Sequence, residues 1–162
     1  MKIKERVVVF PDTHFPNHDE RAFRCALNVI KEIKPTAFLL LGDTIDGESV
    51  SHWQWSKKKR PPLEYQLPFI DEEIKQGNKG LDRIDKALDK VGCKKKQFAQ
   101  GNHEKWFDHF VEENPYLDHY GSRKAFRFDE RGYEWHSYGE VFKVFGSKLY
   151  AYHGGHYMGI AH

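Results

Sequence analysis

The chain reads as an α/β protein, a parallel β-sheet flanked by helices. Two observations carry that reading. Short apolar, β-branched runs alternate with longer segments of helical periodicity. Each short run then stops at a cluster of Asp, Asn, His and Gly, and in open α/β sheets ligands bind outside the carboxyl ends of the strands.

The elements follow in order. Residues 6–10 (RVVVF) form a continuous β-branched run ended by Pro11, as expected of a strand buried on both faces. Over residues 19–33, Phe23, Ala26, Leu27, Ile30 and Ile33 keep helical spacing, and Pro35 closes the segment. Residues 37–41 (AFLLL) give a second buried strand, stopped by Gly42. Strand, helix and strand in succession predict a right-handed βαβ unit. Residues 52–62 (HWQWSKKKRPP) read as a loop with a basic cluster and two tryptophans. Ile70, Ile74, Leu81, Ile84, Leu88 and Val91 then mark one face of a long helix, weakened at Gly77 and Gly80, with Gly92 beyond its end. A third strand at 96–100 (KQFAQ) is broken by Gly101, and a helix over 104–113 is stopped by Asn114-Pro115. Phe126, Phe128, Tyr133 and Trp135 alternate as core strand residues would. Residues 140–145 and 148–152 flank Gly146-Ser147, a dipeptide suited to a hairpin turn. No repeat, low-complexity tract or linker divides the chain, which predicts one domain over residues 1–162.

Composition narrows the function classes. Of 162 residues, 39% are hydrophobic and 31% charged, a globular rather than a disordered or membrane balance. No apolar run approaches the roughly 20 residues of a membrane span, so no membrane partner is expected. The basic, then apolar N-terminus has too short an apolar stretch for a signal peptide. Two cysteines, Cys25 and Cys93, make no disulfide framework and fit a cytoplasmic location. A net charge of +2 does not demand a nucleic-acid partner. Ten histidines are many for this length, and several stand beside Asp, Asn or Gly where the chain turns.

Four polar clusters follow four expected strands: Asp12-Thr13-His14, Gly42-Asp43-Thr44-Ile45-Asp46, Gly101-Asn102-His103-Glu104 and His153-Gly154. A single Asp or Asn after a strand is usually a turn former. Four such clusters at strand ends converge on one place, and that favours a metal centre. Asp12 and His14 can face one ion if the chain bends at Thr13. The Asp43 carboxylate can bridge two cations, Asn102 offers an amide oxygen and His153 an imidazole. Mixed nitrogen and oxygen donors favour Mn, Fe, Zn or Ni over Ca.

In this order, DxH, GDxxD, GNHE and HG, the sequence resembles the calcineurin-like metallophosphoesterases across nearly its whole length. The resemblance implies a layered β-sheet core and hydrolysis of phosphoester bonds at two divalent metal ions, with Mn the first choice in vitro. It implies one ion held by Asp12, His14 and Asp43, and a second by Asp43, Asn102 and His153. His103 would face the phosphate and assist the leaving oxygen, and Asp46 would stand behind the ligands. Two cations about 3.5–4 Å apart would clamp the phosphate and activate water. The family's closing GHxH is not matched, because Gly155-His156 is followed by Tyr157-Met158. The chain therefore reads as C-terminally truncated, with His156 and His162 as substitute ligands in the alternative. A missing final strand would leave a sheet edge and an apolar face open to self-association.

The remaining features are weaker. His18, His109, His119 and His136 read as surface or packing residues, while His52 lies close enough after GDTID to reach a substrate. Residues 57–60 (KKKR), with Trp53 and Trp55, suit either nucleic-acid contact or a solvated loop. The expected function is a metal-dependent hydrolase of a phosphomonoester, a phosphodiester or nucleic acid. The alternative is a metal-binding fragment with a structural or binding role. GDTID lacks the arginine of the Ser/Thr protein phosphatase motif GDxxDRG, which argues against that branch.

Overall fold

In the computed structural model, which describes residues 5–154, four strands form a wholly parallel sheet in the order β1-β2-β3-β4. These are β1 (Val7–Phe10), β2 (Ala37–Leu40), β3 (Lys95–Ala99) and β4 (Tyr133–His136). Val7 pairs with Ala37, Ala37 with Lys95, and Lys96 with Tyr133. The helices are α1 (Glu20–Ile33), α2 (His52–Trp55), α3 (Leu63–Lys90), α4 (Asn102–Glu113) and α5 (Ser122–Ala125). A two-stranded antiparallel ribbon, β5 (Phe142–Lys143) with β6 (Tyr150–Ala151), follows.

Local chemistry sets the element ends. The Asp19 carboxylate accepts the amides of Arg21 and Ala22 at 2.8 and 2.9 Å, which starts α1. Lys34 turns left-handed at its end, φ 48°, just before Pro35. Buried Phe23 and Ile30 seat this helix on the core. The main core joins Phe10, Phe38, Leu40 and Phe98 of the sheet to Leu81, Ile84 and Leu88 of α3 and Phe107 and Phe110 of α4.

Several expectations are corrected. β1 is not buried on both faces: Val8 and Phe10 are buried, whereas Val7 and Val9 are 38% and 42% exposed. As an edge strand, β1 lies outside the second, smaller cluster, where Phe142 and Val144 cover Leu39 and Ala99. The segment 52–62 contains the short helix α2, and α3 begins before Ile70, running through Pro68. Strand β4 holds only Tyr133 and Trp135 of the four alternating aromatics. Phe126 and Phe128 are buried from the turn after α5, where Phe128 stacks on Phe98 at 3.9 Å.

The glycines of α3 serve a purpose their helix propensity hides. A Cβ on Gly80 would lie 2.6 Å from the Phe15 ring, and one on Gly77 would lie 2.8 Å from Ile45 Cδ1. These notches let α3 press against the loops that follow β1 and β2, where Phe15 and Ile45 are wholly buried. Those two loops carry the polar clusters.

Candidate metal centre

The loops after β1 and β2 stay paired after the strands end. The amides of Asp12, His14 and Phe15 donate to the carbonyls of Gly42, Asp43 and Thr44 at 3.1, 3.0 and 2.8 Å, and the Asp46 amide returns to Phe15 at 2.8 Å. Along this ladder Asp12, His14 and Asp43 all take left-handed backbone, with φ of 47°, 49° and 46°. Asp and His tolerate that region better than most residues, yet each such position costs on the order of 1 kcal/mol. The surroundings must hold them.

Glu104 is the main holder. Its side chain is wholly buried and accepts the amides of Asp43 (3.1 Å), Thr44 (2.7 Å), Ile45 (2.9 Å) and Gly101 (2.9 Å). One carboxylate thus fastens the turn after β2 to the start of α4. Burial pushes its pKa up to about 7 against the pull of those amides, with the charge of Asp43 adding to the rise. The close approach excludes a side chain at residue 101, since a Cβ there would overlap Asp43.

Two sets of potential ligand atoms converge, each within 4.8 Å: His14, Asp43 and His103, and Asp12, Asp43 and His153. Asp43 belongs to both. Behind His14, Nδ1 contacts Asp46 Oδ1 at 3.0 Å, and Asp46 Oδ2 accepts from Asn17 Nδ2 at 2.6 Å. His153 Nδ1 donates to the Leu41 carbonyl at 2.9 Å, which fixes the tautomer and frees Nε2. That Nε2 lies 3.1 Å from Asn102 Oδ1 and 3.4 Å from Asp43 Oδ2. Asp12, Asp43, Asn102 and His153 line a cleft of about 300 Å³. Carboxylates, imidazoles and one amide oxygen at this spacing suit borderline divalent cations. The family model for calcineurin-like phosphoesterases matches residues 5–161.

The chain belongs to that family.

No curated protein matches it. The family is one of metal-dependent phosphoester hydrolases, usually with a dinuclear divalent centre. This calcineurin-like phosphoesterase carries its candidate donor groups around one shared carboxylate. No helix among the described residues is long and apolar enough to cross a membrane.

The electrostatics of this phosphoesterase centre on the Asp43–His153 contact. Burial pushes Asp43 up, but hydrogen bonds from His153 and the His103 amide (3.0 Å) bring it below the usual carboxylate value. Its hydrogen bond to Asp43 raises His153 to about 9, burial opposing. His153 arrives from outside the parallel sheet, at the end of the hairpin expected over residues 140–152. It follows β6 of the separate ribbon.

His103 lies in the first turn of α4, with Nδ1 against the Asp46 carbonyl and its ring 4.0 Å from Trp106 and 4.7 Å from His14. His52 opens α2 and looks elsewhere, with Nε2 4.0 Å from Glu113 and the ring 6.2 Å from His109. Lys57, Lys58 and Lys59 are exposed, and Arg60 pairs with Glu113 at 2.7 Å. His156 and His162 lie outside the described residues. Sequence reasoning gave no role to Asn17 or Glu104. For Glu104 a signal existed, an acidic residue three positions after a strand-ending glycine, the spacing of a capping box.

Proposed function

We propose that this chain hydrolyses phosphoester bonds at a two-cation centre with Asp43 as the common ligand. The observation that supports this most is the membership of Asp43 in both donor groups, between a carboxylate-imidazole pair and two imidazoles. The motif order divides the same donors differently: Asp12, away from the group it shares with His153, would join His14 and Asp43 on one cation, and Asp43, Asn102 and His153 would hold the other, with His103 left free for the phosphate. Mn, Fe, Zn or Ni suits these donors, with Mn the first choice in vitro. When bound, the cations polarise the phosphoryl oxygens and supply activated water.

The chain's own residues orient and protonate. Asp46 fixes the ring of His14, and the Leu41 carbonyl fixes that of His153. His103 acts on the phosphate from outside the cation shell. The Asp46 carbonyl can only accept, so Nδ1 carries a proton there. A second proton on Nε2 is then the one offered to the leaving oxygen. Neither cysteine serves as a nucleophile: Cys25 is exposed on α1, and Cys93 is buried after α3. Both are free thiols, which suits a cytoplasmic enzyme.

The substrate is a phosphomonoester, a phosphodiester or nucleic acid, with the lysines after α2 available to a polyanion. Among the described residues β1 is an edge strand with Val7 and Val9 exposed, and it offers a surface for self-association. The test is hydrolysis of an aryl phosphomonoester and an aryl phosphodiester by chelator-stripped protein. Turnover appears only after Mn is restored. Undiminished turnover by stripped protein would overturn the reading.

A further inference from the structure

Trp106 lies against His103, the residue assigned to the leaving oxygen. It follows His103 by three positions on α4, and that spacing puts the two side chains on one face of the helix. The ring centroids are 4.0 Å apart, with the planes 34° from parallel. The indole is itself partly buried and packs against the main core. It is therefore a fixed wall beside the imidazole rather than a mobile neighbour.

An imidazole that must aim a proton needs such a wall. Rotation about the bond from Cβ to the ring is soft, so packing and hydrogen bonds must choose the ring plane. At His103 the surroundings do so. Nδ1 meets the Asp46 carbonyl, the His14 ring stands nearly perpendicular at 4.7 Å, and the indole covers one face. The indole supports the first of these contacts as well. Gly47 directly follows Asp46 with φ 68°, and a Cβ there would lie 2.9 Å from the His103 carbonyl oxygen and 3.2 Å from Trp106 Cε3. The turn that carries the Asp46 carbonyl thus rests on Trp106. The remaining ring nitrogen, Nε2, lies 3.9 Å from Asp43 Oδ2, at the carboxylate shared by both donor groups.

We propose that Trp106 is a positioning residue for proton transfer, holding the plane of the His103 ring so that the Nε2 proton points at the leaving oxygen. This rests on the phosphoesterase reading. In that reaction a water-derived hydroxide forms the new bond to phosphorus while the bond to the leaving oxygen breaks. The leaving oxygen keeps the electron pair and takes the Nε2 proton, and the imidazole becomes neutral. Such a donor must be held within roughly 0.5 Å and 10–20° of its productive geometry. The demand grows with the basicity of the leaving oxygen. An alkoxide needs the proton, whereas a nitrophenolate departs without it.

The experiment has two arms. The first is NMR of the metal-free protein, with His103→Ala assigning the imidazole signals. Proton cross-relaxation joins the His103 ring to the Trp106 indole, and the Nδ1 proton exchanges slowly with water. Trp106→Leu speeds that exchange about tenfold, the worth of one hydrogen bond, and Trp106→Met, a second variant without a ring, does the same. Trp106→Phe puts a ring back on the imidazole and keeps exchange slow. No cross-relaxation in the parent chain, or parental exchange in the Leu and Met variants, would overturn the proposal. The second arm compares an alkyl with a nitrophenyl phosphodiester after Mn is restored. Trp106→Leu lowers kcat on the alkyl ester by roughly 10²-fold and far less on the nitrophenyl ester, with KM and bound metal as in the parent, and Trp106→Phe recovers most of the loss. Equal losses on both esters also overturn it. Turnover with parental exchange in Trp106→Leu sinks the positioning role alone. The expected NMR result without metal-dependent turnover in the parent sinks the phosphoesterase reading.

Discussion

The Glu104 carboxylate accepts the Asp43 amide at 3.1 Å, so the residue shared by both donor groups is held from behind by a fully buried side chain. Glu104→Gln keeps the size but turns an N–H₂ toward backbone N–H groups. We expect a loss of about 2 kcal/mol of stability, the scale of a hydrogen bond to a buried charge, together with weaker metal binding. Urea unfolding and elemental analysis check it, and unchanged values in both would remove Glu104 from its role.

Asp43→Asn should lower bound metal more than His14→Gly or Asn102→Ala does, because among the described residues only Asp43 belongs to both groups. Metal content per chain, measured on purified proteins, decides. Equal content in Asp43→Asn and the parent chain would sink the bridging role.

His103→Ala should retain metal and lose turnover by roughly 10²–10⁴-fold, the contribution of a positioned acid. Its ring shares a donor group with His14 and Asp43, so the opposite result is informative. A variant that loses its metal would make His103 a ligand.

Metal uptake should release protons below about pH 9. His153 is held near 9 in the metal-free protein, above its ordinary 6.5, by Asp43. For a raised base the stabilisation is fully present below 6.5 and is lost as pH rises through about 9. The metal-free chain therefore loses this contribution across that interval, while apparent metal affinity rises. Calorimetry in buffers of different ionisation heat counts the protons, and an affinity independent of pH over that range would refute the assignment.

Val9→Lys on β1 should reduce self-association, since Val7 and Val9 stand exposed on an edge strand. Sedimentation velocity of both proteins measures it. Identical distributions would exonerate this edge.

Most of the centre was legible because each cluster marks where a strand must stop, and β1, β2 and β3 stop within a residue of the expected places. A β-branched run cannot say what covers its second face, so the exposure of Val7 and Val9 was hidden. Phe126 and Phe128 alternated like strand residues because a turn that buries two aromatics two positions apart has the same pattern. Gly77 and Gly80 read as weakness, since propensity describes a helix alone and their use lies in Phe15 and Ile45 opposite. The route of His153 was legible from the turn dipeptide Gly146-Ser147, although the ribbon's strands are only two residues each and carry no periodic signal of their own.

The left-handed backbone of Asp12, His14 and Asp43 has a consequence for how this centre can be dissected. Alanine, the usual probe, is poorly suited to that conformation, so an alanine scan here would mix a lost donor with a disturbed loop. Glycine at the same positions relaxes the chain while removing the donor, and asparagine keeps the turn while removing a carboxylate's charge. Comparing the three substitutions at each residue would separate what the side chain does for a cation from what the main chain does for the fold.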